Sequence, residues 1–209
     1  PASFTLVNEG AKLLAEGQTA TAEAVLLEAA AKYPDLPEAA YNLGLAQAFN
    51  GRFADAEKAQ KRALAKNPQF AAAHLALGNA LYALGRSQEA LDAFMQAETL
   101  ASDPEILVST AFNRALTLGK LNRYTEAESA FADCLARNPD DPTPAFQIGV
   151  MKLRQKKWTE ALGWLDSAAE ALPLEVSVLR SKALVKLARR AEAETALAVA
   201  EKTLAWLAK

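Results

Sequence analysis

Apolar and small residues recur along the chain at helical spacing, and short breaks separate the helical runs. Between residues 37 and 70, the first run carries Leu43 and Gly44 on one side, and the second run ends before Pro68. Gly51 lies between the two runs, where the backbone must turn and a Cβ would be costly. The pattern therefore predicts a helix, a tight turn and an antiparallel second helix.

This two-helix pattern repeats along the chain. The recurring positions are a proline (Pro34, Pro68, Pro104, Pro139, Pro173), an alanine (Ala22, Ala56, Ala90, Ala127, Ala161) and a small residue (Gly10, Gly44, Gly78, Ala115, Gly149). The alanine and small-residue series are both spaced by 34, 34, 37 and 34 residues. Because the two series share one irregular step at one place, they mark a single tandem array.

These residues resemble the tetratricopeptide repeat family, in the bacterial type suggested by the alanine-rich repeats. The similar features are the 34-residue period, the Leu43-Gly44 and Leu77-Gly78 pairs, Gly51 before Phe53, and the closing proline. The resemblance implies an all-α right-handed α-α superhelix of about six helix-turn-helix repeats, in one solenoid domain over residues 1–209. Repeats are expected at residues 3–36, 37–70, 71–104, 108–141 and 142–175, with a degenerate capping repeat at 176–209.

Two departures from the period carry structural predictions. Residues 105–107 form an insertion that we expect to lengthen the first helix of the fourth repeat, with Asp103 as its N-cap and Pro104 at its first position. The sixth repeat lacks the turn glycine. Its last helix keeps Leu204, Trp206 and Leu207, which we expect to lie against the preceding repeat or against a continuation of the chain.

Because the chain starts at Pro1 without Met, removal of a targeting segment or more is expected.

The sequence offers no set of residues for catalysis. Its single histidine, His74, and single cysteine, Cys134, occupy repeat positions that normally face the helix pair, so both are expected to serve packing. One of each gives no nucleophile–base pair and no metal set. Asp140 and Asp141 are expected to act as acids at a helix N-terminus. We therefore predict a binding protein rather than an enzyme, with no cofactor and no metal.

Charge and hydropathy exclude two further classes of protein. The net charge of −2 excludes a globally basic nucleic-acid binder. No apolar run reaches the roughly eighteen residues that a membrane span needs. A lone cysteine assigns no redox compartment, and a cytoplasmic location is favoured over a periplasmic one.

The family resemblance implies that first helices line a concave groove that binds a peptide or protein partner. Carried over position by position, the groove residues are Tyr41, Asn42, Leu45, Phe49, Leu75, Asn79, Tyr82, Phe112, Asn113, Leu116, Phe146, Gln147 and Arg154. The aromatic members are of the type enriched in protein interfaces. The amides at one repeat position, Asn8, Asn42, Asn113 and Gln147, are similar to the asparagine ladder of O-linked N-acetylglucosamine transferases, broken at Ala76 and Ser181. They can pair with a peptide backbone. Alternatively, the aromatic residues pack on the neighbouring repeat.

Charge separates further possibilities for the partner. A co-chaperone clamp for heat-shock C-termini is excluded, because Asn79 and Asn113 are present but the required cations are missing. Residues 1–51 hold two basic and six acidic residues, whereas residues 142–190 hold nine basic and four acidic ones. The basic segment is a solvated face, or it binds an acidic client, or it contacts the acidic start of a second copy.

Three interpretations follow from these features. The first is a free-standing scaffold or adaptor that recruits a partner through the groove. The second is the repeat domain of a larger enzyme, of the glycosyltransferase or sulfotransferase type. The third is a self-assembling structural subunit that forms a homo-oligomer. All three depend on docking of a peptide or domain onto a rigid curved surface.

Overall fold

The computed structural model describes residues 2–207, and within that range the regular structure is entirely α-helical. The helices are α1 (Ala2–Ala15), α2 (Thr19–Lys32), α3 (Pro37–Phe49), α4 (Phe53–Lys66), α5 (Ala71–Ala83), α6 (Ser87–Leu100), α7 (Pro104–Lys120), α8 (Tyr124–Arg137), α9 (Pro142–Arg154), α10 (Trp158–Ser167), α11 (Pro173–Lys186) and α12 (Arg190–Leu207). The predicted all-α class and the helix-turn-helix pattern are confirmed.

The chain forms two compact units, Pro1–Thr117 and Leu118–Lys209, with the boundary inside α7. In the first unit, α1 packs on α2, α3 on α4, and α5 on α6, and α2 and α4 also pack on the first helices that follow them, α3 and α5. In addition, α3 contacts both α1 and α5. In the second unit, α9 packs on α10 and α11 on α12, while α9 also contacts α11. First helices of successive pairs therefore lie side by side in each unit.

Small residues in the first helices allow the helices of each pair to approach closely. A Cβ on Gly78 would lie 2.5 Å from the ring of Phe94, and one on Gly149 would lie 2.9 Å from Leu165 Cγ. Phe94 and Leu165 are 1% and 0% exposed. The same position of α2, α4 and α8 is filled by the buried side chains of Leu26, Gln60 and Phe131. The small-residue series in the sequence therefore marks the places where a second-helix side chain enters its partner helix.

The turns inside the helix pairs share one left-handed residue. In the first three pairs this residue is glycine, with φ of +76° to +79° (Gly17, Gly51, Gly85). The later turns place Asn122, Lys156 and Ala188 in the same conformation, with φ of +60° to +62°. A Cβ makes this conformation costly, and asparagine tolerates it better than most residues. The sixth pair thus keeps the turn geometry although it lacks the glycine.

We expect Ala188→Gly to raise the free energy of unfolding by about 0.5–1 kcal/mol, because glycine removes the Cβ penalty at φ +60°. Ala188 is exposed, so the change removes little packing. Urea titration followed by circular dichroism measures the shift. The matched control is Gly85→Ala, at the corresponding turn, which should lower stability by a similar amount. A decrease for Ala188→Gly would contradict this account of the turn.

The inserted residues 105–107 lengthen the first helix of the fourth repeat, as predicted. Helix α7 has 17 residues, against 13 in α3, α5 and α9. It starts at Pro104, and Asp103 Oδ1 accepts a hydrogen bond from the Glu105 N–H at 2.9 Å. The added residues therefore extend the helix by about one turn.

The end of α12 does not pack against the preceding repeat, which was one of the two expected arrangements. Leu204, Trp206 and Leu207 are 53%, 74% and 60% exposed, so they do not pack against the preceding repeat. The residues of α12 that do pack are small, namely Ala193, Ala196 and Ala200. Because these alanines form the contact face, the larger apolar side chains lie on the other sides of the helix.

Ion pairs join neighbouring helix pairs in the first unit. Arg52 pairs with Glu23, and Arg86 Nη1 lies 2.7 Å from Glu57 Oε2. The pKa of Glu57 is lowered, chiefly by its hydrogen bond from Lys61 and also by Arg86. Both arginines are partly solvated, so each pair contributes little to stability by itself. Each ion pair links the turn of one helix pair to the second helix of the preceding pair.

Candidate functional site

The predicted groove residues of the first unit lie on α3, α5 and α7, and we call their surface the first-helix face. Its members are Tyr41, Asn42, Leu45, Phe49, Leu75, Asn79, Tyr82, Phe112, Asn113 and Leu116. Because α3 contacts α5, side chains from successive repeats can meet there. The structure shows where they do so.

Four of these residues surround a small cavity between α5 and α7. Asn79, Tyr82, Asn113 and Leu116 line it together with Phe94 of α6, and its volume is about 120 Å³. Since a water molecule occupies about 30 Å³ in the liquid, the cavity can hold a few waters or one small side chain. Its walls are aromatic and aliphatic, and the two amides supply its polar edge.

The two amides are paired with each other. Asn113 Nδ2 donates a hydrogen bond to Asn79 Oδ1 at 2.9 Å, across one repeat of 34 residues. A carboxamide has two donor hydrogens and two acceptor lone pairs. The bond uses one donor of Asn113 and one lone pair of Asn79, so the pair keeps donors and acceptors for a ligand. It also holds both side chains in one orientation, which lowers the entropy cost of binding.

Two other predicted groove residues, Asn42 and Tyr41, make contacts within the fold. Asn42 Nδ2 donates to the Glu38 carbonyl at 2.8 Å within α3. The ring of Tyr41 packs on Phe70, with centroids 4.8 Å apart, and burial raises the pKa of the Tyr41 hydroxyl. Tyr41 therefore packs on Phe70 at the end of its own repeat, against a cluster that includes Ala73 of the next repeat, while Asn42 keeps its carbonyl for a ligand.

The apolar members of the first-helix face differ in exposure. Phe49, at the end of α3, is 67% exposed. Leu45 and Phe112 are half-buried, and so is Leu75, which packs with Tyr82 on the core around Phe94. Phe49 is therefore the large apolar side chain that this face presents most fully to solvent.

The remaining groove residues lie on α9 in the second unit. Phe146 is half-buried and packs on the core that includes Leu153 and Leu162. Gln147 is half-buried, and Arg154 is exposed, with Nη1 3.5 Å from the Gly119 carbonyl oxygen. In this unit, the structure shows a packing role for Phe146.

The basic segment of the second unit is partly neutralised by ion pairs. Lys152 Nζ lies 2.8 Å from Glu128 and 2.9 Å from Glu160. These partners, Glu128 first, raise the pKa of Lys152. Arg180 pairs with Asp166 at 2.7 Å. Part of the positive charge is therefore used to hold helices together.

The single cysteine is buried, and the single histidine and Asp141 contact backbone groups. Cys134 is 4% exposed, and His74 Nε2 lies 2.9 Å from the Pro68 carbonyl oxygen. Asp141 caps α9 by accepting a hydrogen bond from the Thr143 N–H at 2.8 Å, as expected for a helix N-terminal acid. Among residues 2–207, no group of histidine, cysteine and carboxylate side chains is arranged to hold a metal ion. Over the same range, no helix has the length and apolar character to cross a membrane.

The period, the helix pairs and the small residues between them agree with a match to a family model. The model described as tetratricopeptide repeat matches residues 8–63, 41–105 and 112–175, well over half of the chain. The chain belongs to the tetratricopeptide repeat family. This repeat fold is an all-α solenoid typical of proteins that bind other proteins.

A curated relative and several solved structures are similar to this tetratricopeptide repeat chain. The cellulose synthase operon protein C of Pseudomonas fluorescens (strain SBW25) is 26% identical over 189 residues, and these are 87% of this chain but 15% of that protein. PilW, a type IV pilus biogenesis factor, has a TM-score of 0.81 at 16% identity, covering 99% of this chain and 92% of PilW. PilF of Pseudomonas aeruginosa has a TM-score of 0.78 at 20% identity, covering 93% and 88%.

A third solved structure, YrrB, is described as a tetratricopeptide repeat protein with an unusual peptide-binding site. Its TM-score is 0.67 at 18% identity, covering 84% of this chain and 90% of YrrB. At these identities the structural similarities show a shared fold.

Sequence reasoning missed Phe94 as a wall of the cavity, because α6 is a second helix and second helices were not expected to line the groove. A signal was present in the repeat alignment. Phe94 occupies the same repeat position as Leu26 and Leu165, whose side chains enter the first helix at a glycine. A large aromatic ring at that position reaches through to the first-helix face.

Proposed function

We propose that this chain is a scaffold or adaptor that binds an extended peptide or protein segment on its first-helix face. The observation that carries the proposal is the cavity where the Asn79–Asn113 pair meets Tyr82 and Leu116. It combines fixed polar groups with an apolar pocket, which is the usual composition of a recognition site. The proposed role is binding rather than catalysis.

The spacing of the helices supports an extended ligand. Packed helices lie roughly 8–10 Å apart, and an extended chain advances about 3.3 Å per residue. A peptide that crosses from α5 to α7 therefore meets a new first helix about every third residue. The amides can pair with its backbone groups whatever its sequence, while the cavity accepts one small apolar side chain.

A peptide-display selection on the full chain tests this proposal. The selected peptide is then measured by fluorescence anisotropy against Asn79→Ala/Asn113→Ala. We expect affinity to fall by about tenfold or more, because two neutral hydrogen bonds of about 1 kcal/mol each are removed from a partly desolvated site. Circular dichroism confirms that the variant keeps its helix content.

The matched control is Gln88→Ala/Gln96→Ala, which removes two amides from the exposed surface of α6. This variant should bind the selected peptide as tightly as the wild type. Equal affinities for all three proteins would contradict binding at the amide pair.

A second candidate function is that these repeats form the docking part of a longer enzyme or assembly protein. It is favoured by one observation, that the similar cellulose synthase operon protein C is matched over only 15% of its length. The complete open reading frame of the gene tests it. A catalytic domain in the same frame would support this candidate, and a frame that contains repeats alone would refute it.

A further inference from the structure

A second recessed surface lies in the second unit, and its lining residues include none from α5 or the amide pair. It is a hollow of about 610 Å³ between the α8–α9 turn and the end of α10. Trp164 forms one wall, Asp140, Asp141 and Glu170 supply carboxylates, and Leu135 adds apolar surface. We call this hollow the Trp164 cleft. None of the predicted groove residues lines it.

The cleft occurs where α10 ends early. Helix α10 has 10 residues, whereas α2, α4, α6 and α8 each have 14. Ser167 Oγ donates to the Trp164 carbonyl at 2.7 Å, and the Ala168 and Ala169 N–H groups bond three residues back at 3.1 and 3.2 Å. Because such turns are narrower than an α-helix, the chain after Ser167 leaves space beside Trp164.

The charge of the cleft indicates the class of ligand. Three carboxylates line it, and none of the described residues lining it is basic. Asp141 uses one oxygen to cap α9, while Asp140 and Glu170 are exposed at the rim. Trp164 is half-buried, so part of its ring is available to a ligand. An aromatic wall beside carboxylates favours a cation, which gains from the ring and from the acids together.

The extent of the surface favours a peptide over a small amine. Trp164 also borders a second hollow of about 390 Å³, lined by Glu160, Gly163 and Ser167. A Cβ on Gly163 would meet nothing within 4 Å, so the surface is open on that side of the tryptophan. A chain that crosses Trp164 can occupy both hollows, while Glu160 at the second one is already paired with Lys152.

We propose that the Trp164 cleft binds an arginine or lysine side chain from a basic segment of a partner protein. The guanidinium or ammonium group lies on the indole of Trp164, between Asp140 and Glu170, and the flanking peptide continues past Gly163. Arginine fits better than lysine, because its planar group stacks on an aromatic face. This site is separate from the first-helix face, so either site can bind if the other does not.

The test uses the full chain and a fluorescein-labelled pentapeptide in which arginine alternates with glycine. Anisotropy is measured for the wild type and for Asp140→Asn/Glu170→Gln, which keeps the size of both side chains. We expect the variant to bind at least about fivefold more weakly, and a peptide with citrulline in place of arginine to bind the wild type about as weakly. Free arginine amide should compete only at much higher concentration than the peptide.

The control variant is Glu194→Gln/Glu201→Gln, which removes two exposed acids from α12 and changes the net charge equally. It should bind the arginine peptide as the wild type does. The proposal is overturned if the wild type does not bind the peptide, if both double variants weaken binding equally, or if citrulline and arginine peptides bind alike. Competition by free arginine amide at the peptide's own concentration would also overturn it.

Discussion

Replacing Ala90 with glutamate is expected to unfold the array around α5 and α6. Ala90 is 0% exposed and belongs to the core cluster with Leu77, Leu81 and Phe94. A carboxylate forced into this cluster has no cationic partner inside it. The cost is about 3–5 kcal/mol or more, which is a large part of the roughly 5–15 kcal/mol that holds a domain folded.

Urea titration and thermal melting followed by circular dichroism measure this loss. The control is Ala54→Glu, the same substitution at an exposed position in the first turn of α4. That variant should melt like the wild type or slightly higher, because an acid is favourable near a helix N-terminus. A normal melting curve for Ala90→Glu would contradict the close packing of these helices.

Replacing Phe94 with alanine should lower the free energy of unfolding by about 3–5 kcal/mol. Phe94 is 1% exposed and fills the space above Gly78. The truncation removes buried apolar surface and leaves a cavity next to Asn79 and Tyr82. The loss should therefore weaken the binding of the selected peptide as well as the fold. Urea unfolding measures the loss of stability.

A double-mutant cycle separates packing from other causes. Gly78→Ala alone should cost about 1–3 kcal/mol, since its Cβ would lie 2.5 Å from the Phe94 ring. In the Phe94→Ala background the same change has room and improves helix propensity. The double variant should then be more stable than Phe94→Ala alone. Additive losses would show that the two residues do not interlock as the structure indicates.

The sequence predicted most of the fold because the repeat is regular. The small residues at Gly10, Gly44 and Gly78 mark close helix contacts, and Asp103 and Pro104 mark the start of the long α7. These signals are local in sequence, so a single chain is enough to detect them. Handedness of the superhelix and the division into one domain stay predictions of the family resemblance.

Other parts of the fold depend on contacts that no local signal specifies. The left-handed turns at Lys156 and Ala188 were missed because neither residue favours that conformation. The early end of α10 coincides with a hydrogen bond from Ser167 to the Trp164 carbonyl, a contact that sequence spacing does not specify. The exposure of Trp206 follows from alanines taking the contact face of α12.

Repeat positions in the sequence predicted which residues belong to the candidate site, and the structure adds the contacts between them. The sequence placed Asn79, Asn113 and Tyr82 among the groove residues, but the hydrogen bond between the two amides depends on side-chain orientation. It could not show that the Tyr41 ring packs on Phe70, at the end of the same repeat. The inter-repeat ion pairs had a readable signal, since Glu23 and Glu57 are one period apart, as are their arginine partners.

Site-specific photo-cross-linking tests the central proposal, binding on the first-helix face, most directly. The selected peptide carries a benzophenone side chain at its central residue and is irradiated in complex with the full chain, and the linked residues are found by mass spectrometry. The proposal predicts cross-links to α3, α5 and α7, concentrated around Tyr82 and Leu116. Cross-links confined to the second helices α4 and α6, or to the second unit, would contradict it.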